Sequence, residues 1–211
     1  MIYCGDGLEI PEYPHSSEWW RRNGGEKYMQ ILNKYGDAHP KIGAYKLYKY
    51  LEDFFKPKYT VIDLGCGVGN FSRHIECKSI CCVDIWEDYL KEVEDFATEI
   101  LRINIIHILN SRPPKSYDVV LMTDVIEHLT EVEGFKLLDD MVELARKVVV
   151  VYTPANWDEN EQSNEEVWSY GNPYQKHQSL WTEDGFHSKG YETKKYFREG
   201  IIAWKYIEVN E

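Results

Sequence analysis

Between residues 59 and 153 the apolar positions alternate between short unbroken runs and longer stretches with helical spacing. The runs YTVIDL (59–64), SICCVDI (79–85), INIIHIL (103–109), YDVVLMT (117–123) and KVVVVYT (147–153) are rich in β-branched residues. They predict five strands buried on both faces, as in a parallel sheet covered by helices. Between them, residues 69–76 predict a helix; 87–97 place Leu90, Val93, Phe96 and Ala97 on one stripe, and 131–145 do the same with Phe135, Leu138, Val142 and Ala145. Upstream, 40–56 predict a helix with Pro40 in its first turn and Tyr45, Tyr48, Leu51 and Phe55 on one face. Residues 1–36 read as irregular, broken by Pro11, Pro14, Gly24 and Gly25. Downstream, YETKKYF (191–197) and IIAWKYI (201–207) predict a hairpin with Gly200 in its turn. The fold class is α/β, a doubly wound and mostly parallel sheet with an antiparallel hairpin at one edge.

Composition narrows the partners. A chain of 211 residues is read as one domain with a sizeable core, residues 59–211, preceded by a helical extension, 1–58. The formal charge is −12, there is no long Lys/Arg block, and acidic residues crowd 84–99 and 158–166. Such a surface repels free nucleic acid unless a local basic patch overrides it. Five cysteines form an odd set without zinc spacing, which points to a reducing compartment. No basic-then-apolar leader opens the chain and no apolar run approaches ~18 residues, so the expectation is a soluble, cytoplasmic protein without a membrane partner.

The first strand runs into VIDLGCGVGNF, with glycines at 65, 67 and 69. A glycine turn before a helix suits any ligand that must touch backbone, or simply tight strand–helix packing. The spacing is neither the dinucleotide G-x-G-x-x-G nor a Walker loop with G-K-[ST]. Asp63 stands two residues before the first glycine, where it would repel a pyrophosphate but can accept from an ammonium or hydroxyl. Asp84 closes the second strand 21 residues later, the place for a carboxylate that grips both ribose hydroxyls. A ligand with a ribose, a cationic amino group and no phosphate is S-adenosylmethionine.

VIDLGCGVGNFS, VDIWEDY, SYDVVLMTDVIEHL and VVVVYTPAN, in this order over residues 59–156, resemble the class I S-adenosylmethionine-dependent methyltransferases. The resemblance implies a Rossmann-like sheet of seven strands ending in the antiparallel pair at 191–207. It implies that Asp63 lies near the amino group of the cofactor, that Gly65, Cys66 and Gly67 form the floor beneath it, and that Asp84 holds the ribose. Ile85 would pack on the adenine, Asn110 would meet its amino group, and Thr123 and Asp124 would border the methionine end.

Methyl transfer from a sulfonium is an in-line displacement in which the protein positions the acceptor and excludes water. A hydroxyl acceptor also needs a base or a metal. DVIEHL supplies Asp124, Glu127 and His128 after the fourth strand; NPYQKHQSLWTEDGF (172–186) supplies Tyr174, His177 and Trp181 after the fifth. Glu127, His128 and His177 are the catalytic candidates, and Tyr174 and Trp181 candidates for the acceptor pocket. The 3′-terminal small-RNA 2′-O-methyltransferases bind Mg²⁺ through E-x-x-E-H and a later His before W-T. This chain is similar, with D-x-x-E-H and HQSLWT, so a divalent metal would fall on Asp124, Glu127, His128 and His177. Asp124 shortens the first ligand, however, and residues 1–58, with nine Lys/Arg against eight Asp/Glu, supply no basic groove. A metal-free site is therefore favoured, the alternative being that the Glu-His pair only fixes a turn. In PHSSEWWRRNGGEKY (14–28), Trp19 and Trp20 either contact the acceptor as part of a lid hinged at Gly24-Gly25 or pin the segment to the sheet. The reading is a methyltransferase acting on a small-molecule or sugar-like acceptor, with O- ahead of N-methylation. The rivals are a metal-assisted RNA 3′-end 2′-O-methyltransferase and a catalytically silent cofactor-binding protein.

Overall fold

The computed structural model describes residues 2–4, 8–10, 40–156, 172–196 and 200–208, with side chains from residue 44 onward. A short antiparallel pair comes first, β1 (Ile2–Cys4) with β2 (Leu8–Ile10). Helix α1 (Pro40–Leu51) continues as a 3₁₀ turn, Glu52–Phe54. The strands of the main sheet are β3 (Thr60–Leu64), β4 (Ser79–Asp84), β5 (Glu99–Arg102), β6 (Tyr117–Thr123), β7 (Ala145–Pro154), β8 (Glu192–Tyr196) and β9 (Gly200–Tyr206). Their order is β5-β4-β3-β6-β7-β9-β8, parallel from β5 to β7 and antiparallel beyond. The seven-stranded, doubly wound, Rossmann-like sheet is therefore present, with the hairpin at its edge. Strand order reverses between β3 and β6, the position where such sheets bind ligands beyond their carboxyl ends.

Strand alternation sorts the core into two layers. Ile62, Leu64, Val120, Met122, Val149 and Val151 face one side, against Leu137, Leu138, Met141 and Leu144 of α4 (Glu131–Leu144). Val61, Val119, Leu121, Val148, Val150 and Ile202 face the other, with Leu47, Leu51, Phe55 and Phe71. Each such side chain contributes about 1.5–3 kcal/mol on burial. α4 starts at a capping box: Thr130 accepts from Glu133 N while the Glu133 carboxylate accepts from Thr130 N.

Five expectations shift. Within residues 1–36, read as irregular, Ile2–Cys4 and Leu8–Ile10 form the antiparallel β1–β2 pair. The third strand is β5 at Glu99–Arg102, not 103–109. The β-branched run of 103–109 is pulled into helical turns because the Asn104 side chain accepts from Ile106 N, and Ile105 and Ile108 are buried three residues apart. A 3₁₀ turn at Ile105–His107 leads into the short α3 (Ile108–Ser111). The helix of 69–76 shrinks to the 3₁₀ turn Ser72–His74, and that of 87–97 to α2 (Glu87–Lys91). Gly200 opens β9, so it belongs to the strand. Among the described residues, no helix is long and apolar enough to cross a membrane.

Candidate functional site

The loop after β3 is tied down by backbone. The amides of Gly65 and Cys66 both donate to Val83 O, at 2.8 and 2.9 Å. Gly65 has φ +78°, and a Cβ there would stand 2.4 Å from Val125 Cγ2, so no side chain fits. Gly67, at φ +53°, differs: a Cβ there would meet nothing within 4 Å, because its backbone borders open space. Gly67 N donates to Asp84 Oδ2 at 2.9 Å and Trp86 N to Asp84 Oδ1 at 2.8 Å. Asp84 thus clamps the loop and keeps lone pairs for a ligand, since an ionised carboxylate accepts about four hydrogen bonds. Burial raises its carboxyl above the usual range, against the lowering effect of the amides of Trp86, Gly67 and Ile85.

Beyond this loop lies a cavity of about 740 Å³ along the carboxyl ends of β3, β4, β6 and β7. Gly65, Cys66, Gly67, Asp84, Ile85 and Thr123 line it at one end. Asp124, Glu127, His128, Tyr174 and His177 line it as well. Asp63 does not. It sits beneath the loop, 1 % exposed, where Ser72 donates to Oδ2 and Oδ1 has no partner. Burial pushes its carboxyl up to about 7, partly offset by the Ser72 hydrogen bond. Asn110 is also off the wall, exposed on α3; Asn104 lines the cavity instead, a consequence of the shifted third strand. Trp181 is a core residue rather than a pocket residue. It is 3 % exposed, its ring fills the notch left by Gly134, and Nε1 donates to Ile126 O at 3.2 Å. Trp19 and Trp20 lie outside the described residues.

The far end is built from side chains. After β6, Asp124 takes φ +53°, a left-handed conformation that Asp tolerates better than most residues, and turns the chain into the 3₁₀ segment Ile126–His128. Glu127 is 3 % exposed and accepts from Thr153 Oγ1 at 2.9 Å. The 172–182 segment is laced onto this turn: Gln178 N donates to Glu127 O at 2.7 Å and Ser179 Oγ to Leu129 O at 2.8 Å. That lacing brings the rings of His128 and His177 to 4.8 Å. Ligand atoms of Glu127, His128 and His177 all lie within 4.8 Å of one another; Asp124 is not part of this group. Burial lowers His128 to about 4, helped by His177, which leaves the imidazole neutral at neutral pH. Burial raises Glu127, and the Asp124 carboxylate adds to the effect. Asp124 faces the open cavity, but the protein around it likewise raises its carboxyl.

Sequence reading missed several wall residues. Asn70 lines the cavity with a buried Oδ1 that has no partner, and it directly follows the last glycine of the loop. Asn172 is buried and caps the turn Pro173–Gln175, a role its place before Pro173 signals. Tyr152 and Tyr196 also line the cavity, which no local motif announces.

The profile of a family described as a methyltransferase domain matches residues 21–188. Among curated proteins, the ubiquinone biosynthesis O-methyltransferase of Rickettsia felis is 24 % identical over 127 residues, 58 % of this chain and 50 % of that protein. That of Rickettsia bellii is 26 % identical over 133 residues, 58 % and 51 %. The chain spans about half the length of the curated relatives it matches. Among solved structures, the PH0226 protein of Pyrococcus horikoshii OT3 superposes with a TM-score of 0.60 at 17 % identity, covering 87 % of this chain and 99 % of that one. A SAM-dependent methyltransferase from Archaeoglobus fulgidus gives 0.57 at 22 %, covering 84 % and 99 %. Magnesium protoporphyrin IX methyltransferase from Synechocystis PCC 6803 with bound SAM gives 0.55 at 14 %, covering 91 % and 95 %. With the profile match covering most of the sequence on a Rossmann-like sheet, the chain belongs to the methyltransferase domain family.

Proposed function

We propose that the protein transfers a methyl group from S-adenosylmethionine to a hydroxyl of a small-molecule acceptor. The observation that carries this is one continuous cavity joining the glycine loop and Asp84 to Glu127, His128 and His177. The first end fits the cofactor: Gly67 leaves room where a side chain would stand, Asp84 retains acceptor capacity for ribose hydroxyls, and the orphaned Asn70 Oδ1 accepts from a ligand amine. Ile85 and Asn104 complete the adenine side, and Thr123 borders the methionine side. When bound, the cofactor supplies an electrophilic methyl on a cationic sulfur. The chain supplies the rest. Asp63 holds Ser72 and so shapes the loop from below. His128 or His177 takes the proton of the acceptor hydroxyl, and Glu127, fixed by Thr153, orients the pair. The names of the Rickettsia relatives, ubiquinone biosynthesis O-methyltransferases, support oxygen as the acceptor atom.

The Glu127–His128–His177 group favours a second reading, in which these residues hold a divalent ion that polarises the hydroxyl in place of a base. The RNA 3′-end version of that reading meets a chain of charge −12. Turnover of the protein with a hydroxylated small-molecule panel, with and without chelator, separates the readings. Full activity in chelator, lost in His128→Ala and His177→Ala, supports the base. Loss in chelator and recovery with Mg²⁺, Mn²⁺ or Co²⁺ supports the ion. Cofactor binding with no transfer to any acceptor would support a catalytically silent protein.

A further inference from the structure

Segment 172–178 serves both ends of the cavity. It supplies Tyr174 and His177, and both line the wall. His177 turns toward His128, with ring centroids 4.8 Å apart. Tyr174 reaches the other way. Its ring meets Trp86 edge to face, with centroids 6.4 Å apart and planes at 65°. Trp86 directly follows Asp84 and Ile85, and its amide donates to Asp84 Oδ1 at 2.8 Å. The carboxylate that serves the ribose thus also fixes the residue against which Tyr174 rests. The strap itself is held at both ends. Asn172 is buried, and its side chain accepts from Tyr174 N at 2.9 Å. Pro173 opens the turn Pro173–Gln175 with a fixed φ. Beyond the turn, Gln178 N and Ser179 N both donate to Glu127 O, at 2.7 and 3.2 Å. Yet the Tyr174 ring belongs to neither core layer and is 49 % exposed. A large ring left half in water at a cavity wall, on a backbone this constrained, is placed for contact rather than for packing.

We propose that Tyr174 is a cofactor-retaining residue: with Trp86 it forms a clasp across the Asp84 end of the cavity, and the strap that carries it couples cofactor occupancy to the place of His177. The inference rests on the S-adenosylmethionine reading above. A nucleoside held at Asp84 and Ile85 gains from an aromatic group in the wall, and the Tyr174–Trp86 contact anchors such a group to this end. A single edge-to-face pair is a weak contact, so it parts for entry and release without unfolding the strap. Tyr174 and His177 are separated by two residues on a segment bonded at both ends, so moving one ring moves the other. One segment thereby reports to the chemical end that the cofactor end is filled.

The test is surface plasmon resonance of S-adenosylhomocysteine on the immobilised full chain. Tyr174→Ala and Trp86→Ala each raise the dissociation rate about three- to tenfold, and Tyr174→Phe keeps the wild-type rate. The double variant releases no faster than the faster single, because the two rings act as one unit. Denaturant midpoints of the Tyr174 variants match wild type, since the ring is outside the core. The second readout is NMR of histidine-labelled protein, with the His177 signal assigned by its loss in His177→Ala. Saturating S-adenosylhomocysteine shifts that signal in wild type and shifts it less in Tyr174→Ala. Should Trp86→Ala fail to fold, the contrast between Tyr174→Ala and Tyr174→Phe carries the test. A wild-type release rate in Tyr174→Ala, additive losses in the double variant, or a His177 shift unchanged by Tyr174→Ala would each overturn the inference. No binding of S-adenosylhomocysteine by wild type would instead defeat the reading on which it rests.

Discussion

At the Asp84 end the cavity wall is mainly backbone: Gly65 and Gly67 at positive φ, amides bonded to Val83 O, and one carboxylate that clamps Gly67. At the Glu127 end it is side chains, drawn from two segments 50 residues apart and held by Gln178, Ser179 and Thr153. The first construction suits a ligand that never changes, because backbone geometry admits few alternatives. The second suits chemistry, because a few side chains can be exchanged on the same frame to serve another acceptor.

The comparison breaks most visibly in activity. His128→Ala and His177→Ala are each expected to reduce turnover by about 10²–10⁴-fold, the scale of general acid–base catalysis. Calorimetry should show affinity for S-adenosylhomocysteine unchanged. Equal losses in binding and turnover would mean that the two ends are not separable.

The next effect is in stability. The Asp63 carboxyl rises from 3.8 to about 7 on folding, because it is buried. Between those values the folded state holds a proton that the unfolded state has lost, so stability is full at low pH and falls as pH rises through about 7. Asp63→Asn removes that slope. Denaturant unfolding at pH 5 and pH 8 should show wild type losing roughly 2–3 kcal/mol more than the variant over this interval. His74, lowered to about 3 by burial and by Arg73, acts in the opposite sense below pH 6.5 and is common to both proteins, so it cancels. Parallel pH profiles would show that Asp63 is already ionised in the fold.

Asp84→Ala is expected to weaken S-adenosylhomocysteine by about 1–3 kcal/mol, the cost of unpaired polar groups, without abolishing the fold. Titration of the variant beside wild type checks it, and unchanged affinity would remove Asp84 from the cofactor site. The smallest effect lies outside both ends: Thr130→Ala breaks the α4 capping box and should cost about 1 kcal/mol in thermal or denaturant unfolding, with both affinities intact.

The same contrast explains what the sequence makes legible. The glycine loop and Asp84 lie at strand ends, where a contiguous motif and a fixed offset suffice to find them. The run INIIHIL misled because strand-like composition also fits a turn capped by Asn104, and that one shift moved the adenine-side candidate from Asn104 to Asn110. Trp181 sits among polar loop residues, yet its ring answers the gap at Gly134, far earlier in the chain, a complementarity visible only in three dimensions. Glu127, His128 and His177 were legible as separate motifs; their convergence depends on the hydrogen bonds that bind 172–182 to the turn after β6. The pairing of Tyr152 with Tyr196 on the cavity wall is not legible in the sequence, because the two meet only through the antiparallel register of β7, β9 and β8.

The central claim is that the backbone-built end is made for S-adenosylmethionine and no other nucleotide. Calorimetric titration of the wild-type protein with S-adenosylhomocysteine, NAD and ATP under one buffer tests it most directly. The account predicts saturable one-site binding of S-adenosylhomocysteine, with NAD and ATP far weaker, since their phosphates would meet Asp84 and no basic side chain of the glycine loop. Affinity for NAD or ATP equal to that for S-adenosylhomocysteine would contradict it.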